Sequence, residues 1–310
     1  MSDASSQETN KVDSYTLVNC IFTGKFSQVW EVIEEGTPLR YAMKLLLPEY
    51  TREREQVQSL KWEAKIGKQL EHPNLLTYHK VVATREHAYL LMDLFRSVSL
   101  KNFLSSDLLG VQLRIRKLIE SLCLVLGYMH DKGWVHKDVK PDNILLNKGG
   151  EVKLIDFSLT VRAAGGLARL FRVKPRQIQG TRTYIAPETI KRQPPTSATD
   201  IYSLGVTLFE VLTGSPPFTG TSPNDLLRRH LAMQPPAPSS LNPNVTPEMD
   251  RLVLRMLAKK PQDRPSAQEV YGEFRSIKPF KEDIEAILEK KKQEAADRQA
   301  MEDGLASRLD

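Results

Sequence analysis

The sequence predicts an α+β chain in two lobes, a small β-rich N-terminal lobe with one main helix and a larger, mostly helical C-terminal lobe. Three observations carry this reading. The 310 residues are long for one domain and ordinary for a bilobal one. Residues 15–30, 41–44 and 89–92 alternate or run apolar as strands do. From Leu100 onward the apolar spacing becomes helical.

Composition narrows the class. An apolar content of 40% with 26% charged residues fits a soluble globular protein. No apolar run approaches the roughly 20 residues of a membrane helix, and the polar start, residues 1–10, has no signal-peptide core. Two cysteines, Cys20 and Cys123, without a CxxC, point to a reducing, cytoplasmic setting. The net charge of +6 reads as solubility, and no nucleic-acid partner is expected.

Taken in order, residues 1–14 read as a disordered tail. Residues 15–30 read as strand, turn and strand, the turn being Phe22-Thr23-Gly24-Lys25-Phe26-Ser27. Tyr41-Ala42-Met43-Lys44 is a strand ending in a cation. Charged helix formers predict a helix over about 53–70, with Gly67 inside it at a cost of about 1 kcal/mol against Ala. An apolar strand follows at 89–92, and Asp93 to Phe95 opens a connection that ends near residue 97. Residues 111–130 have the spacing of one long helix, stopped by Asp131-Lys132-Gly133.

The stretch His136-Lys137-Asp138-Val139-Lys140-Pro141-Asp142-Asn143 gathers chemistry. Asp138 is a carboxylate that can accept a proton, and Lys140 supplies a cation two residues on. Ile144-Leu145-Leu146, Asn147-Lys148-Gly149-Gly150 and Val152-Lys153-Leu154-Ile155 read as a hairpin. That hairpin returns the chain, so Asn143 and Asp156 are expected at one end of two paired strands. Both are hard oxygen ligands of the kind Mg²⁺ takes. Residues 162–182 are basic and carry no acid, and Gly180-Thr181-Arg182-Thr183-Tyr184-Ile185-Ala186-Pro187-Glu188 follows. Asp200-Ile201-Tyr202-Ser203-Leu204-Gly205 opens an apolar helix, and Arg264 sits in Lys260-Pro261-Gln262-Asp263-Arg264-Pro265. Residues 279–310 read as a charged helical tail, a solvated extension ahead of the alternative of a coiled-coil or partner helix.

In this order, HxDxKPxN, DF, GTxxYxAPE and DxxSxG resemble the eukaryotic-type (Hanks-type) Ser/Thr protein kinases, most of all the bacterial members. The resemblance covers about residues 15–278, with a protein-kinase-like fold split at about 15–92, a hinge at 93–97 and 98–278. It implies ATP and Mg²⁺ as cofactors and the transfer of a phosphoryl group to Ser/Thr hydroxyls of protein substrates. Asp138 would be the base and Lys140 its cation, with Asn143 and Asp156 on the metal. Lys44 would hold the phosphates, paired with Glu63. Gly24 would bring a backbone N–H near phosphate. Ile21, Val29 and Ala42 would roof the adenine and Leu145 floor it. Met92 would lie behind it, with Asp93 and Phe95 at the hinge. Arg264 would pair with Glu188.

Four departures keep a second reading open, a pseudokinase acting as a scaffold. Phe22 and Ser27 replace two loop glycines, Ser158 replaces a third glycine after Asp156-Phe157, and Gly67 leaves a gap over Phe157 that weakens its coupling to the helix. Against it stand Lys44, Glu63, Asp138, Asn143 and Asp156, which a scaffold does not need. Lys137 replaces the common arginine of the loop, and residues 173–179 hold no Ser, Thr or Tyr. Activity independent of phosphorylation in this segment is therefore expected. The basic residues Arg169, Arg172, Lys174 and Arg176 would instead suit an acidic partner or substrate.

Overall fold

The structure is a computed structural model that describes residues 10–163 and 182–306, with side chains up to residue 298. The chain folds into two compact units. The first holds residues up to Ser97 together with Lys153–Thr160, and the second holds Val98–Val152 and everything from Val161 onward.

The first unit starts with β1 (Lys11–Val12), β2 (Tyr15–Thr23), β3 (Ser27–Glu34) and β4 (Arg40–Leu46). Helix α1 (Arg54–Gly67) follows, then β5 (Tyr78–Ala83) and β6 (Ala88–Asp93). The six strands make one sheet in the order β1-β2-β3-β4-β6-β5. Period-two alternation gives the sheet two distinct faces. Met43 stands opposite Trp30 and Leu91, and on this face they join Val12, Tyr15, Val32 and Tyr89 in the hydrophobic core. Ala42 and Lys44 point the other way, with Met92 opposite Ala42 and Val29 and Leu90 opposite Lys44. Helix α1 buries Leu60, Glu63, Ala64 and Gly67, residues spaced three and four apart, and packs against β5 and β6.

Two expectations are corrected here. Residues 11–14 are not a loose tail. Lys11 and Val12 pair with Thr16 and Tyr15, Val12 is buried, and the Asp13 carboxylate accepts the Tyr89 hydroxyl at 2.7 Å. The helix expected over 53–70 ends at Gly67, so its glycine occupies the last turn rather than the interior, where the penalty would be largest.

The second unit opens with β7 (Val98–Ser99), α2 (Leu100–Ser106), α3 (Leu108–Leu113) and α4 (Ile115–Asp131). The single helix expected over 111–130 is broken at Arg114. The Arg114 N–H donates to Val111 at 3.0 Å, a tight i−3 bond, and its guanidinium donates to the carbonyls of Gly110 (2.7 Å) and Lys148 (2.9 Å). The side chain thus holds the two helices at a joint. Next come β8 (Trp134–Val135), β9 (Ile144–Leu146) and β11 (Val161–Arg162), while β10 (Val152–Leu154) starts at Val152 and has its last two residues in the first unit. β9 pairs with β7, and β11 pairs antiparallel with β8. The expected turn is present at residues 147–151, where Gly150 donates to Asn147 at 3.0 Å with φ +83°.

The rest is helical: α5 (Pro187–Ile190), α6 (Ser197–Thr213), α7 (Pro223–Ala232), α8 (Pro247–Met256), α9 (Ala267–Phe274) and α10 (Ile284–Ala306). Every residue from Thr199 to Leu212 of α6 is buried, which makes this helix the axis of the unit's core. Thr196 and Thr199 form a capping box at its start, and Gly214 closes it at φ +80°. At Gly205 a Cβ would come within 2.9 Å of Met256, so glycine is what lets α8 approach. Among the described residues no helix is long and apolar enough to cross a membrane. The basic segment through Arg169, Arg172, Lys174 and Arg176, the residues 173–179 and Thr181 lie outside the described residues.

Candidate active site

In the first unit three charges predicted from the sequence come together. Lys44, on the sheet face opposite the hydrophobic core, donates to Glu63 Oε2 at 2.6 Å and stands 3.9 Å from Asp156 Oδ1. Helix α1 presents Glu63 on its buried stripe, 3% exposed. Burial alone would pull the Lys44 ammonium down, but the Asp156 and Glu63 carboxylates outweigh it and hold the ammonium above its usual range. Burial pushes the Glu63 carboxyl up, against the pull of Lys44. Asp156 adopts φ +68°, unusual for a non-glycine residue, and its carboxylate accepts the Ser158 N–H at 3.1 Å. The short segment that carries it is stitched into this unit. Leu154 N–H donates to Asn74 at 2.8 Å, Lys153 Nζ to Pro73 at 2.6 Å, and Trp62 Nε1 to Thr160 at 2.9 Å.

The other residues expected at the nucleotide, Leu145 apart, occupy the same sheet or its edges. Val29, Ala42 and Met92 share the face of Lys44, as the strand register requires. Ile21 sits where the β2–β3 register shifts and is 45% exposed. Asp93 ends β6 with its carboxylate 2.7 Å from His79 Nε2, and Phe95 lies under the Lys153 ammonium at 5.8 Å. The Gly24 N–H, expected near phosphate, donates instead to Ser27 at 2.9 Å and closes the hairpin turn. Glycine is retained there because a Cβ would lie 3.1 Å from the Phe22 ring and 3.3 Å from the Ser27 carbonyl. Phe26 meets Tyr50 edge-on at 5.0 Å and ties the turn to the Pro48–Tyr50 helical turn.

The Gly67 expectation is overturned. No gap remains over Phe157, because the Tyr78 ring fills it. A Cβ on residue 67 would come within 2.5 Å of that ring, and the ring centroids of Tyr78 and Phe157 are 5.6 Å apart. The bulk missing from the helix is supplied by the strand. Sequence reading passed over Tyr78, and its signal was weak, a phenol at the head of an otherwise unremarkable strand.

In the second unit the loop between β8 and β9 places Asp138, Lys140 and Asn143 on one another. Lys140 Nζ donates to Asp138 Oδ2 at 2.6 Å, and Asn143 Nδ2 donates to the same oxygen and to the Asp138 carbonyl, both at 2.9 Å. These two bonds fix which way the Asn143 amide faces. Asp200, fully buried on α6, accepts the N–H groups of His136 (2.8 Å) and Lys137 (2.7 Å) and meets His130 Nε2 at 2.9 Å. These bonds hold Lys137 at φ +71°, a conformation that costs on the order of 1–3 kcal/mol in isolation. Leu145 is half-buried on β9, opposite Ser99. Arg264, as expected, grips Glu188 with two nitrogens at 2.8 and 2.9 Å, and Thr199 donates to the same carboxylate at 2.9 Å.

A family model described as "Protein kinase domain" matches residues 15–273. The chain belongs to the protein kinase domain family. Its kinase domain is similar to three curated bacterial proteins. It is 29% identical over 279 residues to a probable serine/threonine-protein kinase of Streptomyces coelicolor, covering 89% of this chain and 40% of that protein. It is 30% identical over 256 residues to the serine/threonine-protein kinase PknB of Mycolicibacterium smegmatis, covering 81% and 41%. It is 30% identical over 285 residues to the serine/threonine-protein kinase PknA of Mycobacterium tuberculosis, covering 88% and 61%. The chain thus spans 40% to 61% of the length of these relatives. Membership of the kinase domain family implies use of ATP and a divalent metal.

Proposed function

We propose that this protein is a serine/threonine protein kinase that transfers the γ-phosphoryl group of Mg²⁺-bound ATP to protein hydroxyls. The observation that carries the reading is the half-buried Lys44, held at 2.6 Å by Glu63 and at 3.9 Å from Asp156. Withdrawing three charges even partly from water, with Glu63 fully buried, is costly unless something uses them, and a scaffold would be served as well by apolar residues.

The residues present suit the nucleotide and the metal. Lys44, kept firmly protonated by two carboxylates, holds phosphate oxygens. The Asp156 side chain is 29% exposed and so is open to a cation, and Asn143 has an oxygen to offer. When bound, magnesium neutralises phosphate charge that would otherwise resist transfer. Asp138 orients the attacking hydroxyl and accepts its proton. Lys140, already on Asp138 Oδ2, supplies positive charge beside it, and a lysine two residues after this aspartate is the serine/threonine form of the loop. Ile21, Val29, Ala42, Met92, Asp93, Phe95 and Leu145 are the proposed adenine contacts, with Gly24 setting the turn above the phosphates. Protein substrates bearing Ser or Thr are the proposed partners, and a cytoplasmic location is proposed with them.

The test is transfer from γ-labelled ATP to a generic basic protein, with magnesium and with Asp156→Ala beside the wild type. Label on Ser and Thr that disappears in the variant is expected. Nucleotide binding without any transfer would leave the scaffold reading in its place.

A further inference from the structure

Tyr78 does more than fill space. Its ring is 5% exposed, between Gly67 of α1 and Phe157, and its hydroxyl stands 3.4 Å from Glu63 Oε1, the oxygen that Lys44 does not hold. The Asp156 backbone also faces this phenol. One side chain therefore donates to the carboxylate that pairs with Lys44 and packs on Phe157, next to the residue proposed to carry the metal. Asp156 at φ +68° is helped by its own bond to the Ser158 N–H, and a neighbour that packs on this turn adds to that support.

We propose that Tyr78 is a positioning residue that locks Glu63 and the left-handed turn at Asp156 to each other, and that Gly67 exists to admit its ring. In this arrangement α1 contributes no bulk over Phe157. Strand β5 reaches across with a ring and a hydroxyl, and couples the helix to the Asp156 segment by a polar link as well as an apolar one. Tyr78→Phe removes the link and keeps the ring. Gly67→Ala drives a Cβ into the ring, since 2.5 Å is far inside van der Waals contact. Tyr78→Leu in the Gly67→Ala background relieves that clash without restoring the hydroxyl.

The proposal rests on the phosphotransfer reading for its consequence but not for its geometry, so two measurements separate them. The first is amide hydrogen exchange on the nucleotide-free full chain. Tyr78→Phe is expected to speed exchange at the Asp156 amide at least tenfold, while the amides of β2, β3 and β4 keep the wild-type rate. The second is calorimetric titration with a non-hydrolysable ATP analogue, with and without magnesium. Tyr78→Phe is expected to lose about tenfold of the magnesium-dependent gain in affinity, with metal-free affinity unchanged. Gly67→Ala is expected to lose the same gain and also to lower the melting temperature. The double variant is expected to recover the melting temperature and not the magnesium dependence, which a purely structural role would not produce. Unchanged exchange at Asp156, or a full magnesium-dependent gain in Tyr78→Phe, would overturn the proposal. A wild-type chain that binds no nucleotide, yet shows the accelerated exchange in Tyr78→Phe, would support the link and count against the phosphotransfer reading instead.

Discussion

At Asp138 an ammonium and an amide converge on one carboxylate oxygen, while Asn143 also holds the backbone carbonyl. The loop is thus shaped around the carboxylate as well as charged by it. Asp138→Asn keeps the size of the side chain and removes its basicity. Turnover is expected to fall by about 10²- to 10⁴-fold, the usual worth of a general base, with nucleotide binding retained. Asp156→Ala is expected to behave differently, because it removes the oxygen proposed to meet the metal and one of the two carboxylates beside Lys44. The thermal shift caused by magnesium with ATP should survive in Asp138→Asn and vanish in Asp156→Ala. Equal shifts in the two variants would contradict the division of roles.

Among the elements, α5 and α6 are fixed by one ion pair. Arg264 is fully buried in its side chain, Glu188 is 2% exposed, and the guanidinium also donates to the carbonyls of Ala198 and Ala258 at 2.7 Å. Removing one partner strands a buried charge, so Arg264→Ala is expected to cost about 3–5 kcal/mol in urea unfolding. Arg264→Lys should recover only part of this, since a lysine has no two-pronged contact to offer. This pair was legible in the sequence, as were Lys44, Glu63, Asp138, Asn143 and Asp156, because each sits at a fixed offset from a local motif. What was not legible depends on distant neighbours. The break at Arg114 is pinned by the carbonyl of Lys148, thirty-four residues away. The ordering of residues 11–14 leans on Tyr89, whose hydroxyl is held by Asp13. Gly67 read as a loss because spacing along a helix cannot reveal a ring arriving from a strand.

For the molecule as a whole, two conditions of use follow. The first is acidity. His230, fully buried, has Nδ1 2.9 Å from the Tyr202 hydroxyl, its ring edge-on to Phe218 at 5.0 Å, and Lys259 Nζ donating to its carbonyl at 3.0 Å. Burial, then the Lys259 charge, pushes its imidazole down to about 4. The folded state therefore holds it neutral, while the unfolded chain takes up a proton below about 6.5. Its contribution is intact above that pH and is lost as pH falls towards 4, at up to about 1.4 kcal/mol per pH unit. Urea unfolding between these limits should show the slope, and His230→Phe should flatten it. The second condition is covalent state. Lys137 is held in its left-handed turn by Asp200 from within the second unit, so the loop that carries Asp138 does not need a phosphate to order it. Enzyme treated with a phosphatase is expected to keep its rate within tenfold, about 1.4 kcal/mol in barrier. A larger drop that Thr183→Ala reproduces would sink the idea.

The first unit is not continuous along the chain, and that sets a timetable for its synthesis. Its sheet is complete at Asp93, but the segment that brings Asp156 to Lys44 is Lys153–Thr160. A ribosome adding about 5–20 residues per second needs roughly 3–12 s to make the intervening stretch. Throughout that interval the nascent sheet and α1 hold Lys44 and Glu63 without Asp156, and the slot beside Tyr78 and Gly67 stands without Phe157. Emerging kinase is therefore charged on one side of its future site and apolar on the other, a surface on which a chaperone could act before the segment arrives to close it.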